Sequence, residues 1–355
     1  MDPRVAPLAT RSALAHKKIR LILGKLADGT RKTYSLGWRW WALFCGARGV
    51  EPLRWVTEAT RMGEQDRLLD FVVHLSTNGH RAPGTIKTYL SAIRARHVAA
   101  GHPDPTAGMT RLWMAMDGLK RMHGAPTRKK PVTVAMLRAL RATLLPDQGG
   151  DGLMLWAAIL MAFFYLLRAS EYCSPSSVGL AEHRGLRGCD LTFKRAGQEV
   201  APTASPDELI VCIRGSKTDQ YNRGEHRNHF LSGDPAYCVV SAVATYARAR
   251  PGRYRGAHEL GPFFTNEQDQ PLLRGQVQEA LAHAAVDAGA DPKDIGTHSL
   301  RIGGASALWN TFRDTALAQR WGRWTSSAFQ SYLWDARALA EGVSGRMIAA
   351  DFTPT

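Results

Sequence analysis

Acidic residues are scarce in this chain of 355 residues, and that scarcity bounds its partners. Only 31 Asp and Glu oppose 46 Lys and Arg, which gives a net charge of +15 and a pI near 9.9. A surplus of this size favours a polyanionic partner, most simply nucleic acid. Hydrophobic residues make up 45% of the chain, enough to form a packed core, which excludes a globally disordered protein.

Cysteines and long apolar runs are also scarce. The five cysteines are widely spaced and odd in number, with no C-x-x-C pair. This pattern excludes a disulfide framework and predicts reduced thiols inside a cell. Residues 153–167 form an apolar run of 15 residues, whereas a membrane span needs about 20. The first residues show no signal-peptide pattern. We therefore predict an intracellular protein without a membrane segment, nuclear in a eukaryotic host and otherwise in the cytoplasm or nucleoid.

Nucleotide and metal motifs are absent from the sequence. There is no G-x-x-x-x-G-K-[ST], no usable G-x-G-x-x-G and no H-E-x-x-H, which argues against ATP-driven and zincin chemistry. His226 and His229 form an H-x-x-H pair, with Cys212 and Cys238 nearby in sequence. Because no second close ligand pair exists, loop histidines or phosphate contacts are preferred to a zinc site.

The positive charge is concentrated in one part of the chain. Residues 1–131 hold 23 Lys and Arg against 9 Asp and Glu, whereas residues 132–355 hold 23 against 22. This split indicates a module that grips DNA joined to a nearly neutral module with another task.

Hydrophobic periodicity predicts an all-helical first domain and a mixed second one. A length of 355 residues also favours two domains. In the first domain, helices are expected over 13–26, from a cap at Thr30, over 64–75, from about 83, and over 110–122. In the second, helices at 133–143 and 152–170 precede three strands, at 188–194, 208–214 and 226–231, and further helices follow. The predicted fold class is mainly α with a small antiparallel β-sheet.

The predicted domain boundaries follow a change in composition. Residues 1–123 form a basic arm and the helical domain, and residues 132–355 form the second domain. Between them, residues 124–131 contain glycine, two prolines and three consecutive cations, which predicts a basic linker with affinity for phosphate.

Several polar and aromatic residues of the second domain could carry chemistry. Each signal alone is weak: an H-x-x-R occurs about once by chance in such a chain, an Arg–Glu pair can be a core ion pair, and aromatics at helical spacing are usually core. Their order within one domain is more informative. The residues are Arg168 with Glu171 one turn later, Lys217 in Ser-Lys-Thr-Asp-Gln, His298 and Arg301 in His-Ser-Leu-Arg-Ile-Gly-Gly-Ala, Trp324, and Tyr332.

This ordered set resembles the tyrosine recombinase (phage integrase) family, whose catalytic pattern is Arg, Lys, His-x-x-Arg, His or Trp, then Tyr. The resemblance covers nearly the whole chain, because the helical first domain is similar to the family's core-binding domain. Residues 85–93 are typical of its last long helices. The segments around Lys217 and His298 are also similar to recombinases of DIRS-like or crypton-like eukaryotic mobile elements. Trp324 stands where many members have a second histidine.

The resemblance implies a chemistry and an architecture. Tyr332 would attack the phosphorus of a DNA strand, giving a 3′-phosphotyrosine and a free 5′-hydroxyl. Arg168 and Arg301 would hold the non-bridging oxygens, with further donors from His298 and Trp324. Lys217 would protonate the leaving oxygen and Glu171 would support Arg168. No metal, ATP or other cofactor is expected. The two domains would close on double-stranded DNA as a C-shaped clamp, as a dimer on one site and a tetramer in synapsis.

Further cations are expected to bind the DNA backbone, and an apolar C-terminal segment is expected to pack in a helix. The candidate DNA-binding residues are Lys87, Arg94, Arg96, Lys120, Arg121, Arg128, Lys129 and Lys130. Residues 336–348 would dock on a neighbouring protomer, as often in this family, or pack on their own chain; the sequence leaves both open.

Three other functions also remain: a type IB topoisomerase-like nicking and closing enzyme, a catalytically silent DNA-binding derivative of a recombinase, and an RNA-associated basic protein.

Overall fold

The computed structural model confirms the predicted fold class, mainly α with a small antiparallel β-sheet. The chain divides into two compact units, Met1–Pro126 and Thr127–Thr355. The structure describes residues 11–125, 128–145, 150–174, 185–214, 224–336, 341 and 343–349.

The first unit contains five described helices and no described strand. They are α1 (Arg11–Leu23), α2 (Asp28–Gly46), α3 (Arg61–Thr77), α4 (Pro83–Ala99) and α5 (Thr110–His123). The expectation that Thr30 caps the second helix is wrong. Helix α2 begins two residues earlier, at Asp28, after Ala27 in an extended conformation and without a side-chain cap.

Aromatic residues form the centre of the first unit. Trp41 and Phe44 on α2 and Phe71 on α3 are buried, and the rings of Trp41 and Phe71 meet edge to face at 5.1 Å. Gly37 lets α2 approach α4 closely, since a Cβ there would lie 2.8 Å from the ring of Tyr89. Burial of these large apolar surfaces is the main stabilising term of the unit.

The second unit surrounds one apolar core with helices and a four-stranded sheet. The helices are α6 (Val134–Leu144), α7 (Gly150–Phe164), α8 (Ala169–Tyr172), α9 (Val239–Ala249), α10 (Arg274–Asp287), α11 (Thr297–Phe312), α12 (Thr315–Trp321) and α13 (Val343–Ala349). The strands are β1 (Leu191–Arg195), β2 (Gln198–Glu199), β3 (Glu208–Ile213) and β4 (Glu225–Phe230).

The sheet is antiparallel, with strand order β2-β1-β3-β4. Leu191 pairs with Val211, and Val211 pairs with Arg227. Apolar side chains of β1 and β3 face the core, whereas the edge strand β4 is mostly polar. Edge strands tolerate such residues because one side of the strand meets solvent. The predicted strand over 188–194 begins three residues late, because Gly188–Asp190 forms a 3-10 turn.

Helix α7 is the buried axis of the second unit and ends earlier than predicted. It stops at Phe164, and Leu166 follows in a left-handed conformation with φ of 49°. Arg168 therefore does not lie at the end of this helix; it is the N-cap of the short helix α8. At 15 residues α7 is too short for a membrane, and no other described helix is long and apolar enough to cross one.

Two glycines bring α11 into close contact with the rest of the second unit. A Cβ at Gly304 would lie 2.0 Å from the carbonyl oxygen of Phe163, and one at Gly303 would lie 2.3 Å from that of Val132. Side chains do not fit at such distances, so the Gly-Gly pair allows α11 to pack against the end of α7. This contact positions the first turn of α11, which carries His298 and Arg301.

We expect Gly304→Ala to destabilise the second unit by about 2–3 kcal/mol, because the added methyl group overlaps a backbone carbonyl that cannot move aside. A melting temperature lowered by about 5–10 °C would report this loss. The matched control is Gly275→Ala on α10, where a Cβ meets nothing within 4 Å. The control should be neutral or stabilising by up to about 1 kcal/mol. Equal effects of both substitutions would contradict the close approach.

Candidate active site

Arg301 lies at the centre of the polar cluster in the second unit. It is 0% exposed, and its guanidinium group donates to the carbonyl oxygens of Leu166 and Gly322. Its Cζ atom lies 4.5 Å from the centre of the Trp324 ring. The left-handed backbone at Leu166 and the glycine at 322 thus provide the carbonyls that hold this arginine in place.

Arg168 and Glu171 are joined in a capping arrangement at the start of α8. The backbone N–H of Arg168 donates to Glu171 Oε2 at 2.8 Å, and its Nη1 donates to Oε1 at 2.9 Å. The carboxylate is 2% exposed, whereas the Arg168 side chain is 23% exposed. The guanidinium group of Arg168 is therefore held by Glu171, and part of the Arg168 side chain stays accessible to solvent.

Tyr332 ends a 3-10 segment, Ser327–Tyr332, and its ring packs beside two of the predicted site residues. The ring centres of Tyr332 and His298 are 5.1 Å apart, and those of Tyr332 and Trp324 are also 5.1 Å apart. The hydroxyl of Ser306 on α11 donates to the Tyr332 carbonyl at 3.0 Å. The structure thus brings Arg168, His298, Arg301, Trp324 and Tyr332 into one cluster with Glu171.

Trp321, three residues before Trp324, occupies another environment. Trp321 packs against His229 of β4, with ring centres 5.5 Å apart. His229 lies in β4, within the strand predicted over 226–231, so its interpretation as a loop histidine is wrong. Its Nε2 lies 3.0 Å from the Phe164 carbonyl, and burial lowers its pKa. Among the described residues, no group of three His, Cys, Asp or Glu side chains is arranged to hold a metal ion.

Sequence reasoning missed Arg323. Its side chain is 1% exposed and donates to Glu171 Oε2 at 2.6 Å and to the Tyr165 carbonyl at 3.1 Å. Its backbone is left-handed, with φ of 56°. In the sequence it stands in Trp-Gly-Arg-Trp. Nothing local to it indicates an ion pair with a glutamate 152 residues away.

Sequence reasoning also missed Arg274, at the first position of α10. The Nε of this exposed arginine donates to the hydroxyl of Thr297 at 3.1 Å, and Thr297 directly precedes His298. The positive charge of Arg274 is one of the charges that lower the pKa of His298. The cationic residue at the start of a helix has no motif of its own, so only proximity in the fold identifies it.

The cluster is short of negative charge. Among the described residues, Arg168 and Arg323 pair with the carboxylate of Glu171, the charge of Glu225 also acts on Arg323, and Arg301 is bonded to carbonyl oxygens. Burial, followed by the positive charges of Arg168 and Arg323, lowers the pKa of Arg301. Burial, followed by Arg301, Arg168 and Arg274, lowers the pKa of His298. A bound anion would relieve this repulsion, and partly exposed Arg168, His298, Trp324 and Tyr332 leave room for one to reach the cluster.

The remaining predicted site residues are distributed over both units. In the first unit, Lys87, Lys120 and Arg121 are exposed. Arg94 is paired with Asp104 at 2.8 Å, and Arg96 lies 5.6 Å above the Trp38 ring. Lys217 lies outside the described residues.

The three consecutive cations that follow the first unit are bonded within the second unit. Arg128 donates to the carbonyl of Ser331, the residue before Tyr332. Lys129 donates to the Lys293 carbonyl at 2.5 Å, and Lys130 pairs with Asp294 at 2.7 Å. These contacts place part of the predicted linker beside both segments that carry His298 and Tyr332. In α13, near the end of the chain, Val343, Met347 and Ile348 are exposed.

Comparison with family models gives no match, and neither does comparison with curated proteins. Solved structures do match. The XerH site-specific recombinase bound to palindromic difH substrate matches with a TM-score of 0.58 and 16% identity, over 95% of this chain and 85% of that one.

Two integrase structures match in a similar way. A fragment of the Tn1549 transposon integrase in complex with transposon right end DNA has a TM-score of 0.56 and 14% identity, over 95% and 98% of the two chains. A lambda integrase dimer bound to a COC′ core site has a TM-score of 0.52 and 15% identity, over 93% and 99%. At these identities the likeness shows that this chain has the fold of site-specific recombinases and integrases.

Proposed function

We propose that this protein is a tyrosine-type site-specific DNA recombinase, which cleaves and rejoins DNA strands through a 3′-phosphotyrosine intermediate. One observation carries the proposal. Tyr332 packs against His298 and Trp324. Beside them, Arg168 and Arg323 share the carboxylate of Glu171, and the buried Arg301 is bonded to carbonyl oxygens. A tyrosine nucleophile next to uncompensated guanidinium groups suits attack on a phosphodiester, because negative charge accumulates on the phosphate oxygens in the transition state.

Arg168 and Arg301 would bind the scissile phosphate. Arg168 presents an accessible edge, and Arg301 is fixed by two carbonyl acceptors at the centre of the cluster. Planar guanidinium groups hold phosphate oxygens with paired hydrogen bonds and retain their charge across the working pH range. The indole N–H of Trp324, stacked beside Arg301, would donate to the same phosphate.

His298 would accept the proton of the Tyr332 hydroxyl during attack. A phenol titrates near pH 10, so at neutral pH it needs a base and nearby cations to become a nucleophile. The lowered pKa of His298 keeps its imidazole neutral and able to accept a proton. Lys217 would return a proton to the 5′-oxygen that leaves, and the bond energy would be kept in the phosphotyrosine link for rejoining.

Double-stranded DNA is the proposed partner of both units. The surplus of positive charge in residues 1–131 supports this, as do the DNA-bound structures with which the chain shares its fold. We propose a dimer on each site and a tetramer during strand exchange. Binding to DNA should weaken steeply with salt, because cations contacting phosphates displace condensed counterions.

The experiment that tests the function is covalent trapping. The purified protein is incubated in EDTA, without ATP, with DNA that spans the flanks of its own gene, and the reaction is quenched with SDS. A protein-linked DNA strand with a free 5′-hydroxyl is the expected product. Relaxation of supercoiled DNA without strand exchange would favour a topoisomerase-like enzyme instead, and binding without any covalent product would favour a catalytically silent DNA-binding protein.

The pH dependence of cleavage should follow His298. Since its pKa lies below 6.5 and its neutral form is the active one, the rate should fall on the acidic side with a midpoint below pH 6.5. Arg274→Gln removes one positive neighbour, so the pKa of His298 rises and the acidic fall of the rate moves to higher pH. Arg274→Lys keeps the charge and serves as the control. Single-turnover rates against pH measure this; an acidic limb that is identical in all three proteins would assign the base to another group.

A further inference from the structure

A third arginine is buried behind the two that would bind the phosphate. We infer that Arg323 is a positioning residue, which holds Glu171 and thereby Arg168, and which shares the Leu166 carbonyl with Arg301. The inference rests on the proposed function and adds a residue to it. Three sets of observations in the second unit support it. They are hydrogen bonds to the carboxylate of Glu171, hydrogen bonds to the backbone carbonyls at 165–166, and the effect of the Arg323 charge on Arg301.

The first set consists of the hydrogen bonds that the two carboxylate oxygens of Glu171 accept. Among the described residues, Oε1 accepts from Arg168 Nη1, at 2.9 Å. Oε2 accepts from the Arg168 backbone N–H at 2.8 Å and from Arg323 Nη2 at 2.6 Å. Within the described part of the chain, Arg323 therefore supplies the charged partner of Oε2. Without it, this buried oxygen keeps a single backbone donor, and the plane of the carboxylate that orients Arg168 is held less firmly.

The second set concerns the turn after α7. Arg323 Nη1 donates to the Tyr165 carbonyl at 3.1 Å, and Nη2 lies 3.4 Å from the Leu166 carbonyl. The Leu166 carbonyl also accepts from Arg301. Leu166 is left-handed, a conformation that is strained for a residue with a side chain. The two arginines hold this strained backbone, so a change at Arg323 is transmitted to the acceptor of Arg301.

The third set is electrostatic. Arg301 lies against the Trp324 ring, whereas both Nη atoms of Arg323 are bonded to Glu171 and to backbone carbonyls, so we assign Arg323 no contact with the phosphate. Its charge nevertheless acts on Arg301, whose pKa it helps to lower after burial and Arg168. A residue placed in this way should affect the chemical step and leave the affinity for DNA unchanged. A lysine cannot replace it fully, because one ammonium group lacks the planar fork that reaches a carboxylate and two carbonyls together.

The test compares Arg323→Met and Arg323→Lys with the control Arg320→Met, an exposed arginine on α12. Each protein receives two forms of the same DNA, one with the ordinary scissile phosphodiester and one with an uncharged methylphosphonate at that position. We expect Arg323→Met to slow covalent attachment to the phosphodiester about 100-fold, with DNA affinity unchanged. Arg323→Lys should lose about 10-fold, because it restores the charge without the geometry.

The methylphosphonate separates positioning from damage to the fold. A neutral linkage depends less on the two phosphate-binding arginines, so the loss caused by Arg323→Met should shrink to less than about 10-fold on this substrate. A variant that is merely misfolded would lose the same factor on both substrates. Equal losses on the two substrates, or full activity of Arg323→Met on the phosphodiester, would overturn the inference.

A second readout does not depend on cleavage. Orthovanadate, an oxyanion shaped like phosphate, should raise the melting temperature of the wild-type protein by binding Arg168 and Arg301, and this rise should be lost in Arg323→Met and kept in Arg320→Met. If the wild-type protein forms no covalent product but shows this pattern, the proposed function fails and the role of Arg323 stands. A vanadate response that is the same in wild type and Arg323→Met would overturn the role of Arg323.

Discussion

Replacing Tyr332 by phenylalanine should eliminate the covalent protein–DNA product while leaving binding to DNA unchanged. The substitution removes only the phenolic oxygen, which is the proposed nucleophile. The ring that packs 5.1 Å from His298 and 5.1 Å from Trp324 is retained, so the cluster keeps its shape. SDS-resistant complexes, resolved by electrophoresis of labelled DNA, measure the effect.

The matched control is Tyr237→Phe in the same unit. This tyrosine packs edge to face against Trp156, with ring centres 6.0 Å apart, and lies in a turn before α9. Its loss of a hydroxyl should leave covalent attachment at the wild-type level. A covalent product that persists in Tyr332→Phe would assign the nucleophile to another residue, and the role of Tyr332 would then be limited to packing.

Replacing Arg301 by glutamine should lower the rate of covalent attachment about 10³-fold. The change removes the positive charge at the centre of the cluster, where the phosphate would gain most from it. The effect on stability should be much smaller, with a shift in melting temperature below about 5 °C. Glutamine keeps one donor for a carbonyl of Leu166 or Gly322, and the loss of the other hydrogen bond is offset because repulsion with Arg168 and Arg323 disappears.

Arg138→Gln on α6 is the control, because this arginine is exposed and lies outside the cluster. It should change neither rate nor melting temperature. Stopped or quenched single-turnover assays give the rates, and thermal unfolding gives the stabilities. If Arg301→Gln instead lowers the melting temperature by much more than about 5 °C, Arg301 holds the fold together and its effect on cleavage is indirect.

The sequence alone was sufficient for the class of fold and for most of the residues that the structure brings together in the candidate site. Hydrophobic periodicity located all five helices of the first unit, and the alternation of Leu191, Phe193, Leu209 and Val211 located the strands that form the sheet core. These patterns survive in the sequence because each element must present one apolar face to the core. The order of Arg168, His298, Arg301, Trp324 and Tyr332 was readable as well, because it resembles the catalytic pattern of the tyrosine recombinase family.

Only the tertiary structure decided how those residues meet. Local patterns placed Arg168 at the end of an apolar helix, whereas the left-handed Leu166 ends the helix earlier and turns its carbonyl toward two arginines. They also left Arg323 unnoticed, although it pairs with Glu171 in the interior. Ion pairs and carbonyl contacts between residues more than 130 apart depend on packing, such as the approach of Gly304 to Phe163, and packing carries no local signature. The residue types came from the sequence, and their assembly into one charged cluster came from the fold.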